Sequence, residues 1–119
     1  MSDDASSGHA PPAKSAALRS FERMVASGKD TALLRYSIGN EYVKAGDFAA
    51  AIDALSHAVA QDATYTAAWK LYASALEHAG RHGEALDAYR RGIVVARQKG
   101  DRQAEKEMTV FARRIERGM

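Results

Sequence analysis

The chain states nearly the same 34-residue pattern twice. Ala32 to Ala63 can be set above Thr66 to Arg97, and Gly46 then falls on Gly80, Ala51 on Ala85, Ile52 on Leu86, Leu55 on Tyr89 and Val59 on Ile93. A repeat of this length is one helical hairpin whose apolar face cannot be buried alone, so neighbouring copies must stack and share a core. Stacked hairpins expose one long groove, a surface suited to holding another chain. The pattern therefore predicts an all-α architecture.

Hydrophobic spacing fills in the elements. Leu18, Phe21, Met24 and Val25 recur at three- and four-residue steps in a first helix that ends at SGKD. Asp30 is the expected N-cap of the next helix, which runs to about Lys44 with Leu34, Ile38 and Tyr42 on one face. Ala45-Gly46-Asp47 is a tight turn in which glycine closes one helix and aspartate opens the next, to about Gln61, with Ile52, Leu55, Ala58 and Val59 inward. In the second copy Trp69, Tyr72 and Leu76 face inward, followed by Leu86, Tyr89, Ile93 and Val94. After Gly100-Asp101 a last helix places Ala104, Met108, Phe111 and Ile115 on one side. Shifted back by one period, the first helix takes the place of a second half. Shifted forward, the last helix takes the place of a first half, with an offset of about one residue. Residues 1–14 contain no large apolar side chain after Met1 and are expected to be a disordered tail.

Composition narrows the function. The net charge of +2 neither attracts nucleic acid strongly nor requires an anionic membrane, although residues 81–119 carry ten Lys or Arg against six Asp or Glu. With no cysteine there is no disulfide, thiolate metal site or thiol nucleophile. The N-terminus has acids where a secretion signal needs positive charge, and no apolar stretch approaches the roughly 20 residues that span a bilayer. A soluble, cytoplasmic protein without a membrane partner is expected. His78 and His82 have a metal-chelating spacing, but Gly80 breaks the helix between them, so no metal and no cofactor is expected. Without a phosphate loop, a GxSxG elbow or an HExxH motif, catalysis is not expected either.

The residues resemble the tetratricopeptide repeat family. Ile38, Gly39, Tyr42, Ala51, Leu55 and Ala58 occupy its signature positions in the first copy, and Trp69, Tyr72, Ala73, Leu76, Ala85, Tyr89 and Gly92 in the second. The resemblance implies a superhelix of about six helices over residues 15–119: a half-repeat at 15–29, whole repeats at 32–65 and 66–99, and a capping helix at 101–117. Departures are visible too. Arg35 stands where the family often has Trp, and Ala63 and Arg97 where it usually has the Pro that ends the second helix, so the helix through Val94 to Gln98 is expected to run on.

The family implies binding of a peptide or helix in the groove lined by each repeat's first helix. Its groove positions fall on Leu33, Tyr36, Ser37, Asn40, Val43 and Lys44, then on Ala67, Lys70, Leu71, Ser74, Glu77 and His78. Among these, Tyr36, Asn40, Lys44, Lys70 and Ser74 form a candidate polar strip for reading a peptide. The family's two-carboxylate clamp is excluded, because Tyr36 stands where Lys is needed and Leu71 where the second Asn is needed. Two alternatives remain. Met108, Phe111 and Ile115 would pack against a second copy in a self-associating subunit, and the C-terminal cations would serve a weak RNA binder, though nucleic acid is not the expected partner.

Overall fold

Six helices follow one another in the computed structural model, which describes residues 14–119. They are α1 (Ala16–Ala26), α2 (Ala32–Lys44), α3 (Phe48–Gln61), α4 (Thr66–His78), α5 (His82–Lys99) and α6 (Arg102–Gly118). The expected tail at 1–14 lies outside the described residues except for Lys14. Its ammonium pairs with Glu22 at 2.9 Å.

Short polar side chains start most of the helices. Ser15, Thr31, Asp47 and Asp101 each accept a hydrogen bond from a backbone N–H of the first turn. Thr31, not Asp30, caps α2. The Asp30 carboxylate is drawn away by the Arg35 guanidinium, which donates to both of its oxygens at 2.8 Å, and by the Gln61 amide at 2.9 Å. Arg35 thus ties α2 to the segment before it. Trp69, one period later, does the same for α4 by donating its indole N–H to the Ala63 carbonyl at 2.8 Å.

The turn inside each hairpin is built alike. Gly46 (φ 77°) and Gly80 (φ 79°) adopt the left-handed conformation. The N–H groups of Asp47 and Arg81 then reach back to the carbonyls of Tyr42 and Leu76, completing a Schellman motif. With no proline at position 97, α5 continues to Lys99, where Gly100 ends it.

Side chains from α3, α4, α5 and α6 share one core whose largest fully buried members are Leu55, Leu76, Tyr89 and Met108. A smaller cluster of Leu18, Leu34, Ile38 and Ala54 holds α1 on the first hairpin. Val94, expected inward, is 50% exposed, while Ala96 is fully buried in the main core. Met108 and Ile115 are buried within their own chain, which removes them as a face for a second copy.

Successive helices pack side by side, and in addition α2 approaches α4 and α4 approaches α6. Among the described residues α1, α3 and α5 make no such approach to one another. The even-numbered helices therefore form the inner, concave row. The radius of gyration, 15.7 Å, exceeds the roughly 13 Å of a compact globule of this length, as expected of a short solenoid 52 Å long and 19 Å thick.

Candidate functional site on the concave face

The five polar strip residues meet different fates. Tyr36 is half-buried with its ring 5.1 Å from that of Tyr65. Lys70 is not a free cation, because its ammonium reaches across to the Glu107 carboxylate of α6 at 2.6 Å and holds that carboxyl below its ordinary pKa. Lys44 is exposed and pairs with Glu41 at 2.7 Å on its own helix. Asn40 and Ser74 remain half-buried on neighbouring helices, and among the described residues no protein group hydrogen-bonds the Asn40 amide. The structure brings α2 and α4 together as the repeat requires, but Lys70 is paired across to α6 and Tyr36 packs on the ring of Tyr65 just before α4.

The larger concave feature lies one helix further on. A cavity of about 440 Å³ opens between α4 and α6, where Ser74, Glu77 and His78 face Phe111 and Arg114 above the buried ring of Tyr89. Glu77 accepts from the Tyr89 hydroxyl at 3.2 Å and from the Arg114 guanidinium. Burial and the adjacent Glu77 carboxylate both push the Tyr89 phenol up, so it stays a neutral donor. The Arg114 guanidinium sits 5.2 Å from the centre of the Phe111 ring. Glu77 and His78 were legible as groove positions, but Arg114 and Phe111 were not, because the last helix follows the repeat only with an offset.

His78 and His82 lie on different helices. His78 is stacked on Phe48 with ring centres 4.8 Å apart, and its Nδ1 faces the Ser74 carbonyl at 2.8 Å, so that nitrogen carries the proton. Among the described residues no three His, Asp or Glu gather in a way that would hold a metal ion. Among the described residues, where a carboxyl pKa departs from its ordinary value it falls, as at Asp30 beside Arg35 and Glu84 beside Arg81. Five of the C-terminal cations, Arg81, Arg90, Arg91, Arg97 and Arg114, pair with carboxylates. No described helix is long and apolar enough to cross a membrane.

Stacked hairpins with an inner row of first helices define a helical-repeat protein. The tetratricopeptide repeat profile matches residues 36–101, and the chain belongs to that family, whose domains are generically protein-interaction modules. It is 44% identical over 100 residues to the TPR repeat-containing protein PA0015 of Pseudomonas aeruginosa, covering 84% of this chain and 95% of that one. The solution structure of protein BPP2914 from Bordetella parapertussis superposes with a TM-score of 0.75 at 36% identity, covering 87% and 90% of the two chains. A tetratricopeptide repeat domain protein from Salinibacter ruber shares the fold, with a TM-score of 0.67 at 24% identity over 73% of this chain and 88% of that one.

Proposed function

We propose that this protein is a small adaptor that holds an extended or helical segment of one partner protein along the row formed by α2, α4 and α6. The observation that carries this reading is the unspent surface of that row. On α2 Leu33 is 64% exposed and, among the described residues, no protein group hydrogen-bonds the half-buried Asn40 amide seven residues on, while Ser74 of α4 is half-buried. Isolated exposed leucines are common, but seven-residue spacing puts Leu33 and the Asn40 amide on one face of α2, pairing an apolar with a hydrogen-bonding group as peptide recognition uses them. The family's general role in protein interaction points the same way.

Affinity capture with wild type and with Leu33→Asp/Asn40→Ala tests the reading, with circular dichroism to establish that the variant is folded. A partner recovered by wild type and lost from the variant supports it. Equal recovery of the same partners by both would remove the concave face from consideration.

A further inference from the structure

We infer that the cavity between α4 and α6 takes an acidic segment of the partner protein, with an aromatic or branched apolar side chain of that segment entering the cavity and a neighbouring carboxylate meeting Arg114. The inference rests on the concave face being the docking surface, and it names the chemistry of what docks there.

The floor of the cavity is apolar and fixed. The rings of Tyr89 and Phe111 lie 5.6 Å apart at 47°, with Tyr89 fully buried and Phe111 half-buried, and the stack on Phe48 holds the His78 ring as a wall. An aromatic or branched side chain entering here meets ring faces and edges, a contact worth more than its area alone. The volume, about 440 Å³, accommodates such a group.

The rim selects charge. Its one carboxylate, Glu77, is only 18% exposed and is already engaged by Tyr89 and Arg114. Arg114 is 52% exposed, and it donates to Glu77 through Nη2 while its plane rests near Phe111. A guanidinium has five N–H donors, so most remain for a ligand, and the two contacts fix their direction before binding. Glu77 thus acts as a positioning residue for Arg114. The His78 Nδ1 proton is already committed to the Ser74 carbonyl, so Arg114 carries the rim's donors, and among the lining residues no second carboxylate opposes it. A basic segment would meet Arg114 with its like charge. A carboxylate meets a preorganised fork. The second cavity between these helices, about 260 Å³, carries Lys70 together with Asp101 and Glu107 and has no such preference.

A phage-displayed library of random short peptides, selected on the full chain, supplies the probe, and fluorescence polarisation of the enriched peptides supplies the affinity. Enrichment of Asp or Glu beside Phe, Tyr, Trp or Leu is expected. Arg114→Gln should weaken those peptides about ten-fold or more, and Phe111→Leu should do so while keeping the core filled. Replacing the peptide's acids by their amides should cost affinity for wild type but little further for Arg114→Gln, a coupling that a merely structural role of Arg114 would not produce. Enrichment of basic or purely polar peptides would overturn the inference. If Asn40→Ala abolishes binding and Arg114→Gln leaves it unchanged, the inference falls while the concave reading stands. If neither substitution matters, or no peptide is enriched, both fall.

Discussion

Two glycines set how closely the helices approach. A Cβ at Gly39 would lie 2.5 Å from Leu55 Cγ, and one at Gly92 would lie 2.6 Å from Met108 Sδ and 3.0 Å from Trp69 Cβ. Leu55 is fully buried and cannot swing aside, so Gly39→Ala should destabilise the fold by about 1–3 kcal/mol despite the better helix propensity of alanine. Thermal unfolding should show a midpoint lower by several degrees, and an unchanged or higher midpoint would show that α2 and α3 can part without cost. Asp30 gives a pH test. The Arg35 fork and the Gln61 amide hold its folded pKa far below the ordinary aspartate value, so its contribution is present above about pH 4 and is lost as the pH falls below that. In urea unfolding, wild type should therefore lose more stability than Asp30→Asn between neutral pH and about pH 3; equal losses would contradict the pairing. Both glycines were legible as family positions, but the side chains they admit were not. Thr31 and Asp30 are adjacent residues of cap type, and only the tertiary contacts of Arg35 and Gln61 decide between them.

At the level of elements, local signals were sufficient to place all six helices. Apolar periodicity located the helices, glycines marked the ends of α1, α2, α4 and α5, and the missing proline at position 97 anticipated the run of α5 to Lys99. Gly80 isolates the value of one such signal. A Cβ there would touch nothing within 4 Å, so the cost of Gly80→Ala comes from the left-handed backbone alone, about 1–2 kcal/mol. A comparable loss in the unfolding midpoint is expected, and a neutral result would mean that the turn relaxes to another conformation. The site was less legible than the helices. Lys70 belongs to a groove position, but its pairing with Glu107 spans 37 residues and depends on the register of α6, which periodicity left uncertain by a residue. Arg114 and Glu77 are separated by the same interval and were hidden for the same reason.

At the level of the molecule, α6 is the last described helix and covers one side of the main core. Its inner side buries Met108, Ala112 and Ile115, whereas Arg102, Lys106, Arg113 and Arg117 are exposed. An apolar inner face and a charged outer face are what a terminal repeat needs to remain in water. Truncation after Gly100 should uncover Gly92, Ala96 and Tyr89 and produce a species that self-associates in size-exclusion chromatography with light scattering, while the full chain stays monomeric. A well-behaved truncated monomer with an unchanged melting curve would show that α6 is dispensable. The opposite end is held differently, since α1 rests on its own small cluster of Leu18, Leu34, Ile38 and Ala54, apart from the main core. Cooperativity is consequently expected to be uneven along the array: amide protons of α1 should exchange through fraying that leaves α3 to α6 intact, making α1 the first of the described helices to yield to heat or protease.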